Sequence, residues 1–429
     1  MGRALYTAVT GLKAQQTKLD VVANNIANVN TTGYRSSRVL FQDIFSQTLS
    51  GGSAPTATNG GTNPQQVGLG VQTASIDVNH NQGSLITTGI NSDLAIQGNG
   101  FFVLSDGVTD VYTRDGSFTV NSVGVLIDPA TGLRVQGYTA DASGAIDSVN
   151  TNPGDIIIPL GGDGIANATT TAALVGNLNS ETNAGDSVVR NVEVFDSLGI
   201  ARNIEFTFTK SATGNMWDWN TSYTGDGGVV SAGSGTLDFD GNGNAIGASA
   251  TGTLNLTAAQ LETQPPLPDA LTVALDFSDV TQLAPPADPN ADPSAQPPSD
   301  LTLRSQDGFP LGVLNSFSIG GNGQVIGVYT NDRTQVIAQV ALASFANVGG
   351  LDRDGNNAFR QSPASGLANV GTPGTGGRGT VSGGVLESSN TDLGTEFSEL
   401  IITQRAFQAN SRTITAADTL LQEAVNLIR

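Results

Sequence analysis

Apolar side chains recur every seven residues at both ends of this chain. At the N-terminus Leu5, Leu12, Leu19 and Ile26 form one row, with Val9, Gln16 and Ala23 offset by four. At the C-terminus the row is Leu393, Leu400, Phe407, Ile414, Leu421 and Ile428, with Phe397, Gln404, Ser411, Asp418 and Val425 beside it. Both stretches lack Pro and are rich in Ala, Leu, Gln and Asn, so they read as helices. A heptad seam seeks another helix, so the two ends are expected to pair as a coiled coil. Asn24, Asn25, Asn28 and Asn30 are poor helix formers, and Thr31-Thr32-Gly33 supplies a stop signal. The first helix should therefore end between Asn28 and Gly33, with Gly33 as its cap.

Between the helices the pattern changes to period two. Short runs rich in Val, Ile, Phe and Thr alternate with turn dipeptides such as Asn99-Gly100, Asp106-Gly107, Asp115-Gly116, Asp226-Gly227, Asp240-Gly241, Asn322-Gly323 and Asp354-Gly355. That predicts antiparallel strands, for example over 100–104, 117–120, 188–195, 203–209, 271–277 and 335–345. Residues 50–66 are Gly-, Ser-, Thr-, Asn- and Pro-rich and read as a connector. Pro285-Pro286 through Pro297-Pro298 cannot supply a sheet ladder and reads as a solvated link. At about 150 residues per domain, 429 residues suggest about three domains.

The expected fold is mixed and mainly β, with paired terminal helices and two nested antiparallel β domains between them. Residues 1–35 and 390–429 would form the helical part, and 36–66 and 371–389 extended connectors. Residues 67–160 and 301–370 would form an inner β domain. An outer one, 161–300, would be inserted in it and left through the linker 285–300.

Composition removes several functions. A formal charge of −20 repels nucleic-acid phosphates and anionic lipid surfaces. No apolar stretch approaches the ~20 residues needed to span a bilayer. Lys13 interrupts the first apolar run and no small-residue cleavage site follows, so no cleaved signal peptide is expected. Met1-Gly2 is not followed by Ser or Thr at position 6, which is Tyr6, so myristoylation is not expected.

Catalytic and metal chemistry also lacks its parts. There is no Cys, and His80 is the single histidine. No G-x-S-x-G elbow exists to build a relay around it. One His and no Cys do not make a zinc site. Gly374-Thr375-Gly376-Gly377-Arg378-Gly379 matches G-x-G-x-x-G but sits in a Gly/Thr-rich loop after Pro373, not between strand and helix. Asp238-x-Asp240-x-Asn242 and Asp352-x-Asp354-x-Asn356 begin like calcium loops, yet Ser249 and Pro363 stand where the bidentate Glu belongs. Tight turns explain both. No enzyme, metal or cofactor is expected. A secreted carbohydrate-active enzyme or adhesin would need a carboxylate pair that the sequence does not single out.

The stretch Leu19 to Tyr34 (LDVVANNIANVNTTGY) closely resembles the signature of the bacterial flagellar rod and hook axial family. In it stand Asn24, Asn25, Ala27, Asn28, Thr32, Gly33 and Tyr34. At the far end, Ser388 to Leu393 and the run Gln404, Arg405, Ala406, Phe407, Gln408, Ala409 and Asn410 resemble that family's C-terminal helix motif. Gly98 to Phe102 and Tyr112 to Phe118 are similar to segments shared by distal rod and hook subunits. The ~140 residues between Gly161 and Leu301, typical of a domain, favour hook over rod. Leu275 to Leu283 is similar to a hook-specific stretch, and Asp307 to Gly312, Gly327 to Asn331 and Ala341 to Asn347 also resemble hook subunits. The Pro-rich stretch is unusual for the family. Without Cys the chain cannot make the Cys-Lys crosslink of spirochete hooks.

The resemblance implies a structural subunit that polymerises into a hollow, bendable tube transmitting motor torque between rod and filament. The alternative is a distal rod subunit. It implies an extracellular place at the flagellum, reached by the flagellar export apparatus. It also implies contacts with itself, the distal rod, the hook cap and the hook-filament junction protein. Leu5, Val9, Leu12, Leu19, Ile26, Phe397, Leu400, Phe407, Ile414, Leu421 and Ile428 would carry the packing.

Overall fold

The computed structural model describes residues 2–56, 58–141, 144–147, 152–160, 164–225, 228–284 and 299–427. The Pro-rich stretch 285–298, Gly161, Asp226-Gly227 and Ile428 lie outside them. The chain divides into two compact units: residues 1–158, 317–327 and 335–429, and residues 159–316 and 328–334.

In the first unit, helix α1 spans Gly2–Ala27 and helix α2 spans Leu393–Leu427. Asp392 starts α2 by accepting hydrogen bonds from Gly394 N (2.8 Å) and Thr395 N (3.2 Å), the usual work of an N-cap carboxylate. At the end of α1, Asn28 bonds back to Asn24 O at 2.9 Å and Asn24 Oδ1 at 2.7 Å. These Asn side chains satisfy the local backbone in place of a further turn. Gly33 lies six positions beyond Ala27 and is not the helix cap. Its φ of +66° serves a different end, a close approach to the Arg114–Asp115 backbone.

Strands continue where a connector was expected. β1 (Ser37–Asp43) pairs antiparallel with β4 (Val71–Val78), and both lie against α1. Between them β2 (Ser46–Ser50) and β3 (Gln65–Gly68) form a fully exposed hairpin. The ribbon was not legible because its residues are mostly small and polar. In the second span expected as a connector, Thr380–Gly383 pairs with Leu94–Gln97, and Val385–Glu387 with Leu85–Thr87.

The β body of this unit centres on the hairpin of Phe101–Ser105 and Asp110–Thr113. Arg134–Thr139 flanks it on one side and Ala358–Arg360 on the other. Phe101, Val103, Tyr112, Ala343, Phe345, Leu351 and Phe359 pack together. Their rings meet edge to face, Tyr112 to Phe345 at 4.8 Å and Phe101 to Phe359 at 5.6 Å, the arrangement the ring quadrupole favours.

The second unit is a sandwich of two four-stranded sheets sharing one core. One is a meander of Ser187–Phe195, Ala201–Lys210, Met216–Gly225 and Gly228–Asp238. Strict alternation along Ala201–Lys210 puts Ile204, Phe206 and Phe208 inside. The other sheet runs Thr251–Leu256, Leu271–Thr281, Thr171–Asn177 and Thr302–Gln306. Here the expectation of antiparallel pairing fails once, because Thr171–Asn177 runs parallel to Leu271–Thr281. The whole meander separates them in sequence, enough chain for the crossover a parallel pair needs. Trp217, Trp219, Phe206, Phe208 and Phe277 fill the core, each worth about 1.5–3 kcal/mol by burial. Gly252 is required there, since a Cβ would come within 2.5 Å of Trp219.

Candidate assembly surface

Contacts along the helix pair show that α1 and α2 run antiparallel. Asn25 Nδ2 donates to Glu396 Oε1 at 3.0 Å, Lys18 pairs with Glu399, and Gly11 faces Asn410. A Cβ on Gly11 would sit 2.8 Å from Asn410 Nδ2, so the glycine leaves room for the Asn410 amide on the facing helix. On α1 the most buried residues are Ala8, Gly11, Ala14, Val22 and Asn25; on α2 they are Thr403 and Ala417. The contact rows 11, 18, 25 and 396, 403, 410, 417 keep a seven-residue period but consist of small and polar residues. Burial raises the Glu396 pKa, partly offset by the Asn25 hydrogen bond.

The apolar rows picked from the sequence are thus not the seam between the two helices. Leu5, Leu12, Leu19 and Ile26 are half-buried, as are Leu400 and Ile414. Val9, Leu393, Phe407 and Leu421 are exposed, and Phe397 is 50% exposed. Ile428 lies outside the described residues. The reason is steric: close approach selects Gly, Ala and Thr, and leaves the large side chains turned outward. Tyr6, Ile401, Ile402, Leu420 and Val425 join them; Ile402 is 59% exposed and Val425 64%. Val425 is a second-row member; the other four were missed because they lie off the strict heptad positions. In the C-terminal motif, Gln404, Arg405, Gln408 and Ala409 are exposed, while Ala406 and Asn410 are half-buried.

The N-terminal motif ties α1 to the β body. Asn25, 1% exposed, uses its whole amide: Nδ2 also donates to Ser37 O (2.8 Å), and Oδ1 accepts from Ser37 N (2.9 Å) and Tyr34 OH (3.2 Å). Ala27 and Asn24 remain on the surface, and Thr32 O accepts from Asn357 Nδ2 at 2.8 Å. Gly33 N donates to Glu387 O at 2.8 Å. Ser36 N donates to Asn390 Oδ1, whose amide reaches Asn79 O and Asn81 O.

Behind Tyr34 lies a charge cluster the sequence did not announce. Glu387 is fully buried and bonds Arg35 at 2.8 Å and Arg114 at 3.3 Å, both nearly buried themselves. Arg353 donates to Arg35 O and stacks over the Tyr34 ring at 5.5 Å. His80 lies against Phe101 and Phe359. Its pKa is lowered to about 4, first by burial and then by Arg35, Arg114 and Arg353.

The first calcium-like segment ends in a turn, where Asp240 accepts from Asn244 N and Asn242 N, which lowers its carboxylate pKa. In the second, Asp352–Gly355 is a strand whose hairpin turns at Asn356-Asn357, and Asp354 pairs with Arg360 at 2.8 Å. No helix among the described residues is long and apolar enough to cross a membrane.

Comparison with known proteins places four segments. Residues 5–35 match the family described as Flagella basal body rod protein, and 382–427 the Flagellar basal body rod FlgEFG protein C-terminal. Residues 95–172 match the Flagellar hook protein FlgE/F/G D1 domain, and 166–291 the Flagellar basal body protein FlaE D2 domain. The flagellar hook protein FlgE of Treponema pallidum is 37% identical over 100% of both chains. That of Borreliella burgdorferi is 38% identical, again over 100% of both. That of Escherichia coli is 34% identical over 99% of this chain and 100% of the relative. Family matches at both ends and in the middle, with identity above a third across the full length, establish that the chain belongs to the flagellar hook protein family.

Proposed function

We propose that the chain is the subunit of the flagellar hook, a structural protein that polymerises into the bendable tube joining rod to filament. The observation that carries this is the apolar surface left on α1 and α2 after they have packed. Phe397, Ile401, Ile402, Phe407, Leu420, Leu421 and Val425 are too many large side chains on one helix for an isolated soluble monomer. A second copy is the natural cover, because the relatives assemble hooks and the surface repeats along a helix. The terminal helices would then act as a coiled-coil-like pair in the polymer. Unit 2 would be an insertion carried by unit 1. Leu5, Val9, Leu12, Leu19, Ile26, Leu400 and Ile414, half-buried or exposed in the monomer, complete the packing face.

The fully bonded Asn25 and the Arg35–Glu387–Arg114 cluster have a role in this reading. They hold the helix pair at a fixed angle to the β body, so that torque applied to one reaches the other. Contacts with rod, cap and junction proteins follow the same reading.

Immunogold labelling of flagellated cells with antibody against unit 2 tests it. Label on the short curved segment between rod and filament is the expected result. Label confined to the basal rod, or along the filament, refutes it.

A further inference from the structure

Arg35 and Arg114 share one carboxylate, Glu387, and Arg353 adjoins them through its bond to Arg35 O, so three guanidiniums stand beside a single paired carboxylate in a chain that sums to −20. Their hydrogen-bonding capacity is not used up. Nε and Nη1 of Arg35, and Nε of Arg114, have no protein partner although the side chains are buried. Burying guanidinium donors unpaired is costly, so such a cluster favours any anion that can approach it.

An approach exists on the Arg353 side. A cavity of ≈ 150 Å³ is lined by Tyr34, Arg35, Arg353, Gly355, Asn357 and Phe359 among others, and no carboxylate lines it. That is several times the ~30 Å³ share of one water molecule. Arg353 is exposed and held in place by its bond to Arg35 O and its stacking on Tyr34. A planar guanidinium already oriented suits a carboxylate better than a mobile cation would.

We propose that this pocket receives a carboxylate side chain from a second copy of the chain, with Arg353 as its direct partner. The occupant follows from charge. Copies that each carry −20 repel one another, and a cationic pocket on each turns part of that repulsion into attraction. The proposal rests on the polymer reading for its partner, while the recognition of a carboxylate stands on the pocket alone.

The test has two arms on the full-length protein. In the first, the side-chain Nε–H signals of Arg35 and Arg353 are followed by NMR while N-acetylglutamate is added at constant ionic strength against chloride. A saturable shift in the millimolar range is expected, and its loss in Arg353→Gln. In the second, the critical concentration for assembly is measured for wild type, Arg353→Gln and Arg353→Lys. Arg353→Gln should raise it about 2- to 5-fold, as for loss of one partly exposed ion pair, and Arg353→Lys less. No saturable shift, with an unchanged critical concentration, overturns the proposal. A shift without any effect on assembly means a free anion only, and overturns the second copy as partner. If no form of the protein assembles, the polymer reading fails while the NMR arm still decides whether the pocket takes a carboxylate.

Discussion

Glu387→Gln isolates the buried charge cluster. Glutamine keeps the shape and one acceptor oxygen, so Gly83 N can retain its 2.8 Å bond to the Oε1 position. The negative charge between Arg35 and Arg114 is lost, and both guanidiniums stay buried, at 1% and 5% side-chain exposure. Removing one partner from a buried ion pair costs about 3–5 kcal/mol. For a unit of this size that is a fall in Tm of roughly 10 °C. The two units can be read separately, because both tryptophans, Trp217 and Trp219, lie in the second. We predict that tryptophan fluorescence melts as in wild type while the helical circular dichroism signal of the first unit melts early. Adding Arg114→Met to Glu387→Gln should recover part of the loss, since one stranded charge goes with it. A shift under about 1 kcal/mol, or an equal shift in both signals, would refute the cluster as a buried, charge-balanced tie.

Three further outcomes are expected. Gly33→Ala should destabilise the first unit by about 2–4 kcal/mol in urea unfolding, since a Cβ at φ +66° meets Asp115 N at 2.5 Å and the backbone there cannot yield. Gly11→Val should change the stability of the first unit by no more than about 1 kcal/mol, because the Asn410 side chain it meets can swing aside and a helix-interior glycine is replaced, with Trp217 and Trp219 unaffected. His80 sets a pH dependence: its folded pKa of about 4 lies below the unfolded 6.5, so on acidification the unfolded state takes the proton first. Stability of the first unit should therefore fall as pH drops from 6.5 and level off below 4. The full shift is worth about 3 kcal/mol, reduced to about 1–2 because the ring is partly open to solvent. His80→Phe should flatten that slope.

What the sequence made legible follows from periodicity. The heptads located both helices, and turn dipeptides with alternating apolar residues located the strands, because local backbone geometry produces both periods. The helix seam was not legible, since two rows of equal period run along each helix and hydrophobicity selects the wrong one for close packing. Gly11 and Asn410 meet because they are small and polar, a property hydrophobicity discards. Strand direction is equally invisible to alternation, which is why the parallel pair of Thr171–Asn177 with Leu271–Thr281 was missed. Glu387 was overlooked for a third reason: charged residues are by default surface residues, and only the fold brings Arg35 and Arg114 to it from far along the chain.

The central claim is that the outward apolar faces of α1 and α2 drive polymerisation. Electron microscopy and sedimentation of the Ile402→Asp/Phe407→Asp double variant test it most directly. Both side chains are already exposed in the monomer, at 59% and 41%, so the fold is spared and circular dichroism can confirm it. Wild type is predicted to form hollow tubes, and the folded double variant to stay monomeric at concentrations at least tenfold higher, as for about 1.4 kcal/mol or more lost in all. Tubes from the double variant at the wild-type concentration would contradict the account.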